Sequence, residues 1–314
     1  MKKITTLNLL RYRCLPKAEK NVFKGVSEWY DTFKPFWAIL LFCGVVAPLS
    51  GCSGFKIAYN FSYGYIEEKA SFYLDQNSSD KEFLLLKIRQ FMRWHKTIML
   101  PRYAQFLEEE ASIIESNQLT KESAVNSINR ARQLLAETVV GAAPYISSVL
   151  MRHTSPSKIG YLKRRLGEDI KEKQKKLTAP PLETVGERTE KIIDRIERFT
   201  GALDELQAVI VVDYVKDTQF FPPYWIENRE KRQLALIQFL ASNPEKPETT
   251  AFVEHVLLHF NKSAGGDPNK IVARWRSRIS RLLYDLLRSL ANDQREELLS
   301  SLRKYALDMR ELSQ

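Results

Sequence analysis

Cysteine is nearly missing from this 314-residue chain: Cys14, Cys43 and Cys52 are all it has. Three thiols at those spacings build neither a disulfide framework nor a zinc-thiolate site. Glycine (12) and proline (13) are also sparse, which excludes collagen-like repeats and low-complexity linkers and argues against a turn-rich β-sandwich. There is no Gly-x-Ser-x-Gly elbow, no glycine-rich phosphate loop and no catalytic cysteine motif, so each common catalytic class misses. Strand-type alternation of useful length is absent, as is any self-similar period of the tetratricopeptide kind. What remains is 44% hydrophobic and 27% charged, an ordinary globular balance in a chain long enough to bury a proper core.

Long apolar runs are missing too, except one. No charge occurs between Lys34 and Lys56, and within that interval Phe36–Ala47 is a compact apolar run. It is shorter than the ~20 residues that span a bilayer and suits the core of a secretory signal. Pro48 then breaks the run, and Leu49-Ser50-Gly51-Cys52 follows. This tetrapeptide resembles the bacterial lipobox, in which an aliphatic and two small residues precede the cysteine that is acylated and becomes residue one. Small residues suit a peptidase that must admit extended backbone beside the bond it cuts. The sequence therefore predicts a signal peptide over 1–51 and a mature domain over 52–314. An uncleaved signal anchor is the alternative. The basic lead over 1–34 is longer than a leader needs, and a start assigned upstream of the true one would account for it. Resemblance to lipoproteins implies at least a diacylglyceryl group on Cys52, hence a stable anchor. Ser53 in place of Asp implies the outer membrane, facing the periplasm.

Charge follows the same division. The net charge is +10, but residues 1–51 hold eight Lys/Arg against Glu19, Glu28 and Asp31. The mature part keeps 40 basic and 35 acidic residues and is only mildly basic. Nucleic acid is not an expected partner; a membrane, reached through lipid on Cys52, and an envelope protein or polymer are.

After Cys52 nearly every segment has helical period, so the predicted class is all-α: a multi-helix bundle of amphipathic helices following a cleaved lipoprotein signal peptide. Ser79-Asp80-Lys81-Glu82 reads as a capping box, with Leu84, Ile88, Phe91, His95 and Ile98 on one face behind it. Pro101 should kink or break that helix. Gly141–Pro144 should separate a helix begun after Thr120 from a short one ending near Arg152. Ser155-Pro156 and Asp267-Pro268 read as helix starts. Ile192, Ile196, Phe199, Leu203, Leu206 and Ile210 suggest one long amphipathic helix. Ala179-Pro180-Pro181 marks a soft internal boundary near 179–184.

Few side chains single themselves out. Trp94, His95, Arg102 and Tyr103 gather aromatics and charge at the Pro101 corner, either as a binding groove or as packing with polar tips satisfied locally. His255 and His259 stand one helical turn apart and could share a metal, although Val256 occupies the place of a zincin acid and no third ligand is indicated. They are otherwise surface or packed histidines. Phe220–Trp225 is an exposed protein-binding loop or a packed turn. The arginines of 274–288 line an apolar stripe and should pair with acids on neighbouring helices. No cofactor is indicated.

Four motifs carry a wider resemblance: the lipobox with Ala58-Tyr59-Asn60; Trp94-His95; Leu100-Pro101-Arg102-Tyr103-Ala104; and Asp293-Gln294-Arg295 with Tyr305-Ala306-x-Asp308-Met309-Arg310-x-Leu312. With these the chain resembles a family of helical bacterial envelope lipoproteins of unknown function. That resemblance implies an all-α lipoprotein and adds no site. The expectation is a membrane-anchored, non-catalytic binding or assembly module facing the periplasm. The rival readings are a chaperone-like holdase and a metal-dependent hydrolase using His255 and His259.

Overall fold

A computed structural model describes residues 54–177, 181–259 and 267–314. The leader, the lipobox Leu49-Ser50-Gly51-Cys52 and residues 178–180 of the soft boundary lie outside the described residues. Every regular element among those described is helical, in agreement with the predicted class. In chain order they are α1 (Gly54–Tyr73), α2 (Ser78–Trp94), a π turn (His95–Met99), α3 (Leu100–Glu115) and α4 (Lys121–Leu150). Then follow α5 (Pro156–Leu177), α6 (Pro181–Thr200), α7 (Glu205–Asp217), α8 (Phe221–Ala241), α9 (Lys246–Leu258), α10 (Pro268–Ser289) and α11 (Asn292–Ser313).

The 30-residue α4 is about 45 Å long and serves as the hub. Its first half packs on α10, and its second half packs on α2 and α9. Helix α11 lies along α3 and also touches α6 and α1, while α8 pairs with α5. The main apolar core joins Leu100, Tyr103 and Leu107 of α3 to Ile196 and Phe199 of α6, Trp275 and Ile279 of α10, and Leu302 and Met309 of α11. Residues on both sides of 178–180 thus share one core.

The predicted starts at Pro156 and Asp267 are observed; Asp267 accepts a hydrogen bond from the Asn269 N–H at 2.9 Å. Four boundaries differ from the expectation. Helix α2 begins two residues early, because Asn77 is its cap. The Asn77 side chain accepts from the Asp80 N–H at 2.9 Å, and the Asp80 carboxylate accepts from the Asn77 N–H at 3.4 Å. Asp80 takes the role expected of Glu82 because Arg152 and Lys158 draw it into the body, where it is 3% exposed. Pro101 does not break the chain direction. Ahead of it the helix widens into the π turn, where the Leu100 N–H reaches the His95 carbonyl, five residues back, and Pro101 sits in the first turn of α3, where its missing N–H costs little.

Pro144, expected to end a helix, lies inside α4. Its cost of about 3 kcal/mol is offset by burial of Ala143, Val149 and Leu150 in the two smaller cores. The Ser147 and Ser148 hydroxyls donate to the Pro144 carbonyl at 3.1 and 2.7 Å, holding the turn closed. The single helix expected across 192–210 is two. Gly201 adopts φ +72°, the left-handed conformation that ends α6, and Asp204 caps α7 by accepting from the Gln207 N–H at 2.8 Å. As a result Leu206, placed on the apolar stripe by periodicity, is 78% exposed.

Candidate functional site

The structure brings Trp94, His95, Arg102 and Tyr103 together at the α2–α3 joint, and it does so as packing. His95 opens the π turn and is 8% exposed. Its ring lies 5.9 Å from Tyr59, 5.7 Å from Phe91 and 5.6 Å from Tyr103 between centroids. Tyr59 Oη and His95 Nδ1 are hydrogen-bonded at 3.1 Å. The other three residues all reach back to α4. The Tyr103 hydroxyl pairs with that of Thr138, Arg102 meets Glu137 at 2.8 Å, and the Trp94 indole lies against Gly141. The corner therefore fastens the joint to the hub through the hydroxyl pair, the ion pair and the packed indole.

Burial sets the electrostatics of this box. It holds the His95 imidazole down at about 4 and pushes the Tyr103 phenol up to about 12; the Tyr59 phenol is raised as well. His95 is thus neutral in the folded protein near neutral pH. Because its folded pKa is depressed below the ordinary 6.5, its contribution is fully present above that value and is lost as pH falls through the folded value. Stability is expected to fall by about 3 kcal/mol between pH 6.5 and 4 from this group. His153, also lowered by burial, adds in the same direction. Urea titrations at a series of pH values check this. His95→Gln should flatten the slope in that window, and an unchanged slope would count against the assignment. Asp80 acts only at lower pH: burial raises its carboxyl, but hydrogen bonds from Lys158, Arg152 and the Asn77 backbone win and hold it at about 2.

Beside the box a groove of about 490 Å³ opens between α1, the α2–π junction and the end of α11. Arg93 and Lys96 line it with Tyr63, Asn60 and Met92, and neither cation has an ion-pair partner among the described residues. Sequence reading missed these two because they flank Trp94-His95 at positions that look like an ordinary solvated face. It missed Asp80 because the partners of that carboxylate lie 72 and 78 residues away.

The remaining candidates separate. His255 sits in α9 and His259 just past its end, with ring centroids 6.4 Å apart. Among the described residues no group of three or more His, Cys, Asp or Glu side chains converges as metal ligands would. Phe220–Trp225 is a packed turn: Phe221, Tyr224 and Trp225 are buried, and Phe221 stacks on Trp275 at 4.7 Å. Glu108 pairs with Arg310 and Glu109 with Arg130; Arg130 also lies 3.6 Å from Glu110, whose carboxyl is raised by burial and accepts from Ser127 at 2.6 Å. No helix among the described residues is long and apolar enough to cross a membrane.

Fold and site thus define an all-helical protein whose most distinctive sequence corner is a structural joint. Compared with known proteins, it matches the model of a family of unknown function (DUF6279) over residues 72–259, and the chain belongs to that family. The matched region takes in Trp94-His95 and Leu100–Ala104; the lipobox, Ala58-Tyr59-Asn60 and the C-terminal motifs lie outside it. No curated protein and no solved structure matches the chain.

Proposed function

We propose that this protein is an envelope lipoprotein, cut before Cys52, anchored by lipid on that cysteine in the outer membrane and facing the periplasm. Its helical body acts as a non-catalytic binding or assembly module for an envelope protein or polymer. The observation that carries the reading is the continuity between the lipobox and the fold. Helix α1 begins at Gly54, two residues past Cys52, and is clamped at once. Phe55 and Tyr59 are buried, and Lys56 pairs with Asp308 and Glu311 of α11. A lipid on Cys52 would therefore hold the body against the bilayer without a tether. That arrangement suits a module working on partners at the membrane surface.

Mass spectrometry of the N-terminal peptide from membranes tests the anchor. The expected peptide starts at acylated Cys52, and Cys52→Ser should abolish incorporation of labelled palmitate. An intact Met1 peptide with the apolar segment attached overturns the anchor. Crosslinking in intact envelopes tests the binding role, which is lost if no envelope component is captured.

A further inference from the structure

Helix α1 is fixed on one face and bare on the other. On the inner face Phe55 and Tyr59 enter the main core, Ser62 is buried, and Ile66 packs on the cluster of Leu84 and Ile88. The face turned away carries Ile57, Phe61 and Tyr65, four residues apart in successive turns and so on a single ridge. Ile57 is 38% exposed, Phe61 is 74% exposed, and Tyr65 is half-buried. On the same side a Cβ added at Gly64 would meet nothing within 4 Å. A lone exposed apolar residue is ordinary, but a ridge of them over three turns marks a surface that something else covers.

Its place in the chain says what that is. Gly54 opens α1 two residues after Cys52, so the helix start lies within about 7 Å of that cysteine. Ile57 and Phe61 follow in the first two turns. For a protein held by lipid on Cys52, the bilayer is the apolar phase nearest to the ridge. Charge agrees with this. Beside the ridge, Asn60 and Tyr63 border the groove that holds Arg93 and Lys96, and neither cation has an ion-pair partner among the described residues. Lys69 Nζ stands 5.5 Å from the centre of the Tyr65 ring. Glu68, exposed on the same face one turn beyond Gly64, ends the ridge.

We propose that the Ile57–Phe61–Tyr65 ridge of α1 lies in the headgroup layer of an anionic bilayer, with Arg93 and Lys96 facing its lipid phosphates. The proposal rests on the reading of Cys52 as the lipid anchor and adds a face to that point of attachment. Lipid alone leaves the body free to turn about Cys52, whereas the ridge selects one orientation. Ile57 and Phe61 supply the apolar contact of a shallow interfacial helix, and the ring and hydroxyl of Tyr65 suit the boundary with water. Glu68 limits the immersed stretch to the first three turns, because a carboxylate among anionic headgroups is repelled.

The protein purified from membranes in detergent is reconstituted into vesicles of phosphatidylcholine, or of equal parts phosphatidylcholine and phosphatidylglycerol, with or without brominated acyl chains. Phe61→Trp and Ile57→Trp each add an indole on the ridge, and Leu206→Trp adds one at the exposed start of α7. Brominated lipid should quench most of the emission added by the two ridge variants and little of that added by Leu206→Trp. Quenching at Phe61→Trp should be stronger with phosphatidylglycerol present, and Arg93→Gln combined with Lys96→Gln should remove that difference. In detergent Phe61→Trp should melt with the parent, since the side chain it replaces already lies in solvent. The N-terminal peptide of the same preparation is read by mass spectrometry. If Cys52 is acylated and Phe61→Trp is quenched no more than Leu206→Trp, the proposal is overturned while the anchor stands. Crosslinking between copies at position 61 without quenching gives the ridge to a second copy and overturns it too. A Cys52 without lipid overturns the anchor, and the proposal with it.

Discussion

Gly141→Ala is expected to destabilise the protein by about 2–3 kcal/mol, the range of a core overfilled by one rigid group. The sign is what makes the test sharp. Inside a helix, glycine to alanine ordinarily stabilises by up to about 1 kcal/mol, because alanine restricts the unfolded chain and pays no side-chain entropy. At Gly141 a methyl group would overlap the Cζ2–Cη2 edge of the six-membered ring of Trp94. The obstacle is a fused aromatic ring rather than the end of a flexible chain, and that ring is held among Phe91 and His95. Gly167 of α5 has open space where its Cβ would go, so Gly167→Ala should follow the ordinary rule and stabilise by up to about 1 kcal/mol. Chemical denaturation of both variants decides the matter. In a Trp94→Leu background the penalty at Gly141 should vanish, giving a coupling of about 2 kcal/mol or more between the two sites. If Gly141→Ala is neutral or stabilising in the parent, the account of the corner as a rigid fastening to α4 is wrong.

This glycine also shows where sequence reading ran out. The amphipathic stripes behind α2, α10 and α11, the Pro156 start and the Asp267 cap were all legible, because each is written within a few neighbouring residues. So were the members of the corner, Trp94, His95, Arg102 and Tyr103. Their partners were not: Glu137, Thr138 and Gly141 lie 35 or more residues further on, and no local pattern links them. Gly141 and Pro144 were read as a break because that is what glycine and proline do to an isolated helix. In the folded chain the packing of Trp94 on Gly141 and the burial of Val149 and Leu150 outweigh that local preference. The opposite error was made at Gly201, where an unbroken apolar period hid a left-handed residue and a new cap at Asp204. Periodicity counts faces and does not register a turn that happens to preserve them.

Gln207→Leu is expected to cost about 3 kcal/mol, although leucine is more apolar and the position is only 1% exposed. Gln207 and Gln294 stand at equivalent places in the first turns of α7 and α11 and face each other as a reciprocal amide pair. The Gln207 amide donates to the Gln294 oxygen at 2.7 Å and the Gln294 amide returns a bond at 2.9 Å. The second proton of each amide goes to a carbonyl, that of Ser289 at 2.9 Å and that of Ala202 at 2.7 Å. Each oxygen also accepts a backbone N–H at a helix start, from Asp204 and from Ala291, both at 3.0 Å. Every polar atom of the pair is used, which is the condition under which a buried amide stabilises. Leucine at 207 would strand the Ser289 carbonyl and the Asp204 N–H together with half of Gln294, and each stranded group costs about 1–3 kcal/mol with partial relief from water. Gln207→Glu separates this mechanism from simple loss of shape. The carboxylate keeps both acceptor roles and loses both donor roles, and it places a charge beside the Gln294 oxygen and the Ser289 carbonyl. Its folded pKa should rise above the ordinary glutamate value, so the folded state holds the proton more tightly and the variant regains stability as pH falls from 7 towards 5. His95 titrates in parent and variant alike and cancels in their difference. Denaturation at the two pH values should therefore show the gap between parent and variant narrowing towards pH 5 through the carboxyl at 207 alone, whereas a gap that stays constant or widens would mean that the amide protons of Gln207 do not hold the α7 and α11 starts together.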